Sequence, residues 1–449
     1  MIKPLFKLFK DFIFSITLPV QDTIKTPTRI PRSEHSLSRR NISKAALSVL
    51  YQLHTAGYQA FLVGGGVRDV LLGRIPKDFD VVTNARPEQV KSLFRNCRLI
   101  GRRFVLAHVR LSKEIVEVAT FRAHHDKGGG GVMEQGRILR DNVYSNRLDD
   151  DALRRDFTIN ALYYDISDFS LLDYANSLAD LEAGVIRLMG EPTLRYQEDP
   201  VRMLRAIRFS AKLGFTIEPQ TAGPIYELSA LLAAIPPARL FEEVLKLFLS
   251  GHAVQSYVQL RHYNLFKELF PYTDMCLDDP HALALIEQVL HNTDERLADN
   301  KPVAPAFLLA ALLWPPISRL VPDKPIKGFN QQEVLLEACQ HVLAKQQRHV
   351  AIPRRITVLM QEIWLLQNRL TRQRKAKKKS LSVLDHPRFR AGYDFLLLRA
   401  SAGEQEMVNE VEWWTNFLNS DTVGRESLLS QGSSPASTKK RRRRKPKTE

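Results

Sequence analysis

The chain has 449 residues, 44% of them hydrophobic and 25% charged. At roughly 150 residues per domain this gives two to four domains with ample core, and it excludes a disordered, collagenous or disulfide-stapled chain. The net charge of +16 sits mostly at the ends: residues 1–40 carry eight basic and three acidic side chains, and residues 430–449 carry eight and one. A nearly balanced body with two basic ends points to a polyanionic partner held partly by tails, nucleic acid foremost.

In chain order, Met1–Val20 is apolar but broken by Lys3, Lys7, Lys10 and Asp11. Its longest apolar run is far short of the ~20 residues that a span requires, and no other stretch approaches that length. No small-residue cleavage site follows, which argues against a secretory signal. Lysines interleaved with Leu5, Phe6, Leu8 and Phe9 allow a weak membrane-surface contact of residues 1–20, against the blander reading of a functionless extension. Residues 21–42 have the composition of a linker. A helix is predicted over Ser43–His54, then strand Ala60–Val63, helix Val67–Leu72, strand Phe79–Val82, helix Pro87–Phe94, and strands near Val105–Leu111 and Ile115–Thr120. His124–Arg137, with four glycines, is read as a mobile loop. From Asp199 onward the pattern is helical without a convincing strand. Val408, Val411 and Trp414 fall on one helix seam, and Trp413 and Trp414 are assigned to core rather than to a base-stacking platform. A Ser-rich tether then leads to Lys439–Lys447, in which eight of nine residues are Lys or Arg. The cysteines Cys97, Cys276 and Cys339 form no Cys-x-x-Cys pair, which fits a cytoplasmic, reducing location and argues against a thiolate-held structural metal.

Five short stretches carry chemistry. Leu62–Gly73 (LVGGGVRDVLLG) runs an apolar strand into three glycines and a helix. Gly65 and Gly66 allow close backbone approach to an anion, and Arg68 adds a cation. On glycines alone, an ordinary tight turn explains the segment as well. Lys77–Val82 (KDFDVV) follows directly, and its Asp-x-Asp puts Asp78 and Asp80 on one face of a strand. Paired carboxylates repel unless a cation lies between them, and Mg²⁺, with Mn²⁺ as a substitute, suits one or two carboxylates plus substrate phosphates. Two such ions can activate a 3′-hydroxyl and stabilise leaving pyrophosphate.

A third carboxylate is expected, either Glu117 in EIVEVATF or Asp156 in RRDFTINA. Beside Asp156, Arg155 offers a forked donor for a triphosphate, and Asn160 would share a helical face with Asp156. The bland alternative is an amphipathic helix with a surface ion pair. Finally, EDPVRMLRAIRF (Glu198–Phe209) presents Asp199, Arg202 and Arg205. A carboxylate and a guanidinium together can read the edge of a base. The alternatives are Asp199 as a helix cap before Pro200 and the arginines as a solvated stripe.

In this order, VGGGVRD, KDFDVVT, EVATFR, RRDFTINAL and EDPVRMLRAIRF resemble the class II nucleotidyltransferases of the DNA polymerase β superfamily. That group comprises bacterial poly(A) polymerases and tRNA CCA-adding enzymes, and the match runs from about Gln59 to Phe215. The resemblance implies an α+β protein: a nucleotidyltransferase head with a mixed β-sheet (43–190), then an all-helical neck (191–270) and body and tail (271–418). A basic extension (1–42) and a basic tail (419–449) would flank them. It further implies metal ligation by Asp78 and Asp80, Asp156 as third catalytic aspartate, triphosphate contacts from Gly65, Arg68 and Arg155, and base reading by Asp199, Arg202 and Arg205. Gly66 and Asn160 join that nucleotide-binding set. Leu99–Val109 (LIGRRFVLAHV), Ile235–Glu243 and the basic terminus look like the bacterial poly(A) polymerases. The expectation is therefore Mg²⁺-dependent addition of AMP from ATP to RNA 3′ ends, with the basic tail on RNA phosphates. A CCA-adding enzyme is the alternative, separable by use of CTP; an inactive RNA-binding protein is a third.

Overall fold

The computed structural model describes residues 26–101, 104–123, 131–134, 137–322, 330–372 and 382–431. The N-terminal amphipathic stretch, His124–Gly130 and Lys439–Lys447 lie outside the described residues. The chain divides into two units, Met1–Glu191 and Pro192–Glu449.

The first unit is built on an eight-stranded mixed sheet. Its strands are β1 (Thr28–Ile30), β2 (Ala60–Val63), β3 (Asp80–Thr83), β4 (Cys97–Ile100), β5 (Leu106–Leu111), β6 (Glu114–Thr120), β9 (Leu162–Asp165) and β10 (Leu171–Asp173), ordered β1-β10-β9-β2-β3-β6-β5-β4. The β3–β6 pair is parallel and the other described pairs of the sheet are antiparallel. The predicted strands are present within a residue or so of their expected limits. β2, four apolar residues with no alternation, is buried throughout, as expected of a central strand covered on both faces. Phe61, Val63, Val82, Phe121, Leu148, Tyr163 and Leu172 close a core on it. Lys44–Thr55 forms a helix because Ala46, Val49, Leu50 and Leu53 share one buried face, and Ser43 Oγ accepts from the Ala46 amide at 3.1 Å.

Three local expectations are corrected. The linker contributes an edge strand, β1, on β10. The glycine-rich loop contains strand β7 (Gly131–Glu134), which pairs with β8 (Arg137–Asp141) beginning at the loop's last residue. Asp156–Asn160 is not one helix: Phe157 bridges to Leu188 and a 3₁₀ turn covers Thr158–Asn160.

Among its described residues the second unit is helical apart from a two-residue strand, Thr216–Ile217. Trp413 and Trp414 are core, packed with Phe417, Leu396 and Tyr393, and the Trp414 indole N–H donates to the Leu370 carbonyl at 3.0 Å. Among the described residues no helix is long and apolar enough to cross a membrane.

Candidate active site

Sheet topology gathers the first unit's motifs at one edge. Because β2 and β3 are antiparallel, the last residue of β2 opposes the first of β3, Val63 to Asp80. On one side the same rung continues through Tyr163 of β9. On the other it reaches Glu117 of β6 and then His108 of β5. Residues paired across strands share a face, so Tyr163, Asp80, Glu117 and His108 stand in a row directly beside the glycine turn that leaves β2. Asp78 lies two residues before β3 and is exposed; Phe79 between the two aspartates is buried. That alternation puts both carboxylates on the face away from Phe79.

The turn fits tightly around Asp80. Gly64 has φ +75°, and a Cβ there would stand 3.4 Å from Asp80 Oδ2 and 3.7 Å from Arg155 Nη1. A Cβ on Gly66 would come within 2.9 Å of the Phe79 ring and 3.2 Å of the Asp78 carbonyl. Gly66 therefore lets the helix Gly65–Leu71 press against the Asp-x-Asp segment. Burial and the neighbouring Glu117 charge push the Asp80 carboxyl up to about 6; Arg155 pulls against them and Asp78 adds a further push. This pocket of crowded negative charge is short of a cation, and its donors are hard oxygens. That is the chemistry Mg²⁺ takes. Among the described residues no group of three or more His, Cys, Asp or Glu side chains is placed to hold a metal ion.

Glu117 and Asp156, the two candidates for a third carboxylate, are placed differently. Glu117 is the strand neighbour of Asp80, and its Oε1 is 3.1 Å from His108 Nε2. Asp156 Oδ1 accepts from the Phe157 amide at 2.9 Å and from Asn160 Nδ2 at 3.1 Å. Asn160 Oδ1 in turn accepts from Arg68 Nη1 at 2.8 Å. Arg68, 3% exposed, also pairs with Asp69 at 2.6 Å. Arg68, Asn160 and Asp156 thus form one hydrogen-bonded chain behind the glycine turn, with the guanidinium charge already answered by Asp69. Arg155 donates from Nε to the Tyr163 hydroxyl at 2.8 Å and from Nη2 to the buried Asp151 at 3.2 Å. Its Nη1 is the atom nearest Gly64. Gly64, Asp151 and Tyr163 were not legible as site residues, because only the pairing of β2 with β3 and β9 brings them to Asp80 and Arg155.

In the second unit, Asp199 is buried and bound by a fork: Arg239 Nη1 and Nη2 each donate to one of its oxygens at 2.8 Å. The helix Val201–Leu213 has Pro200, not Asp199, as its flanking residue. Arg202 is buried rather than solvated, and its Nη1 donates to the Arg195 carbonyl at 2.6 Å and to Glu198 at 2.8 Å. Arg205 lies over the Phe209 ring at 5.1 Å. Arg239 is the residue that sequence reasoning missed here.

Comparison with known proteins gives the same outline. The chain matches the Poly A polymerase head domain over residues 60–187, the Probable RNA and SrmB-binding site of polymerase A over 214–277, and the Polymerase A arginine-rich C-terminus over 327–448. It is 48% identical over 428 residues to Poly(A) polymerase I of Escherichia coli O6:H1, covering 93% of this chain and 91% of that one. The CC-adding tRNA nucleotidyltransferase of Halalkalibacterium halodurans is 37% identical, over 50% of this chain and 54% of its own. Among solved structures, the Bacillus stearothermophilus CCA-adding enzyme in complex with CTP aligns with a TM-score of 0.53 at 23% identity, over 86% of this chain and 91% of that one; this likeness is one of fold. The head sheet, the helical second unit and near-half identity along nine-tenths of the sequence place this chain in the bacterial poly(A) polymerase I family of nucleotidyltransferases.

Proposed function

We propose that the protein transfers AMP from ATP to RNA 3′ ends without a template. The observation carrying this reading is the rung that sets Asp80 beside Glu117, the glycine turn and Arg155. In the reaction the RNA 3′-oxygen bonds to the α-phosphorus of ATP, the bond to the β-phosphate oxygen breaks, and pyrophosphate leaves. Asp78 and Asp80 would hold Mg²⁺, or Mn²⁺ in its place, in a two-ion arrangement that neutralises phosphate charge and activates the 3′-hydroxyl when bound. The glycine turn at Gly65 and Gly66 takes the triphosphate together with the positive charge of Arg155, whose Nη1 lies nearest the turn. Arg68 fixes Asn160 and, through it, Asp156, the third aspartate of the site. Arg202 reads the base. Asp199 is held in one plane by Arg239, and Arg205 completes the set.

The decisive experiment offers each of the four NTPs separately to purified protein with a generic RNA primer and Mg²⁺. Repeated addition of A alone is expected. Efficient use of CTP on a tRNA lacking its terminal CCA, with arrest after three additions, would make the protein a CCA-adding enzyme instead.

The basic tail is assigned to RNA holding. Eight charges engaged on single-stranded RNA contribute up to about −5 to the slope of log K against log salt. Deleting residues 431–449 is therefore expected to flatten the salt dependence of primer binding and to shorten products at moderate salt. An unchanged slope, measured by fluorescence anisotropy across a salt series, would leave the tail without a role on RNA.

A further inference from the structure

The stretch Leu99–Val109 has no part in the reaction above, yet it supplies parts of β4 and β5, the wing of the sheet next to Asp80. Between these strands Gly101 has φ +100°, and a Cβ there would stand 2.1 Å from the Phe104 carbonyl oxygen. Glycine is what lets the chain turn back there. The resulting pairing extends the rung of Asp80, Glu117 and His108 to Arg98 on the edge strand β4. A second row lies two residues earlier on β3 and β6. It runs from the side of Asp78 through Ile115 to its partner on β5, Arg110.

The two faces of this wing differ. Ala107, Val109, Val116 and Val118 are buried on one. The other, which is the face of Asp80, is open: Arg98 and Arg110 are exposed, and Ile115 and the Glu117 side chain are each 46% exposed. Among the described residues neither arginine has an ion pair or a side-chain hydrogen bond. Glu117, by contrast, is answered by His108, whose Nε2–H donates to its carboxylate at 3.1 Å. Charge therefore changes sign along the face, from the carboxylates of Asp78 and Asp80 to unpaired guanidiniums two or three strands away. At about 4.8 Å per strand, the backbones of Asp80 and Arg98 stand about 14 Å apart.

In-line displacement decides what crosses that distance. The attacking oxygen and the leaving pyrophosphate must lie on opposite sides of the α-phosphorus. The glycine turn and Arg155, assigned to the triphosphate, lie on the β2 and β9 side of Asp80. The 3′-oxygen then arrives from the β6 and β5 side, over the open face. A strand that ends in a neutral hydroxyl and carries a phosphate at every step behind it matches the change of sign.

We propose that this face holds the RNA strand just behind its 3′-hydroxyl, with Arg98 and Arg110 as positioning residues on its last phosphates. Neither arginine touches the reacting atoms; together they fix where the terminal ribose lies. The direction of attack follows from the adenylyl-transfer reading above, whereas the open face and its change of sign do not depend on it.

The test compares the full-length wild type with Arg98→Ala/Arg110→Ala and Arg98→Lys/Arg110→Lys on a short oligo(A) primer. The alanine pair is expected to raise the KM for primer about 2- to 30-fold, the range of two exposed ion pairs. The kcat at saturating primer and the KM for ATP should stay at wild-type values, and the lysine pair should restore most of the primer KM. In EDTA without ATP, the slope of log K against log salt should fall by about 0.7 for each lost contact. Primers with one phosphate replaced by a neutral methylphosphonate locate the contact. Replacement near the 3′ end should weaken binding to the wild type and change little in the alanine pair. Equal sensitivity of both proteins at every phosphate overturns the proposal. A raised KM for ATP with an unchanged KM for primer also overturns it and assigns the arginines to the triphosphate. Use of another NTP by the wild type would instead defeat the A-adding reading and leave the primer result standing.

Discussion

Asp80→Ala is expected to reduce AMP incorporation by at least about 10²-fold, the cost of removing charge stabilisation at a reacting centre. RNA affinity and the fold should persist, because Asp80 lies at the first position of β3 and the pairing of that strand runs through Val81–Thr83. Wild-type turnover by this variant would remove Asp80 from the chemistry. The same side chain also predicts a stability effect of opposite sign in metal-free buffer. Burial beside Glu117 and Asp78 raises its folded-state carboxyl to about 6 from 3.8. The folded protein therefore holds this proton more tightly than the unfolded chain. Stability is full below about pH 4 and declines as pH rises to about 6; above that the loss is constant. Asp80→Asn removes the buried charge and should stabilise the metal-free protein at pH 7.5 by about 2–3 kcal/mol. Little difference is expected at pH 4. Thermal melts in EDTA at the two pH values check this, and a variant less stable than wild type at pH 7.5 would contradict the crowding of charge around Asp80.

Arg202→Ala is expected to lower ATP incorporation by about 10- to 100-fold, since a hydrogen bond to a charged group contributes roughly 1.5–3 kcal/mol. Discrimination against CTP, GTP and UTP should fall with it. Arg239→Ala extends the same argument. In the wild type both oxygens of Asp199 are bound by the Arg239 fork, so the carboxylate is fixed in one plane. Without the fork it can turn, and its lone pairs become available to other exocyclic amines. Single-turnover incorporation of each NTP should then show relaxed choice with a smaller loss of ATP use than in Arg202→Ala. Unaltered selectivity in Arg239→Ala would mean that Asp199 is structural. Asp199→Asn supplies the control, because Asn retains shape but cannot form the charged pair.

Local chemistry was legible because it depends on few neighbours. The Asp-x-Asp face follows from the two-residue strand period, and the glycine turn from the run Gly64–Gly66. The seam of Val411 and Trp414 follows from helical spacing, and all three appear as expected. Four strands were not legible: β1, β4, β9 and β10 have three or four residues, too few for a pattern to register, whereas the equally short β2 and β3 were marked by the glycine turn and the Asp-x-Asp beside them. The expected helix across Asp156–Asn160 failed for a related reason. A bridge from Phe157 to Leu188 overrides local propensity there, although Asp156 and Asn160 still meet at 3.1 Å.

The sequence alone determined which residue types could hold a cation, a triphosphate and a base, since motif chemistry is written in side chains a few positions apart. Tertiary structure alone decided their partners. Antiparallel pairing of β2 with β3 brings Gly64 to Asp80, parallel pairing of β3 with β6 brings Glu117, and a contact spanning forty residues closes Arg239 on Asp199. Strand register and helix packing are long-range choices made by the whole core, so no local spacing encodes them.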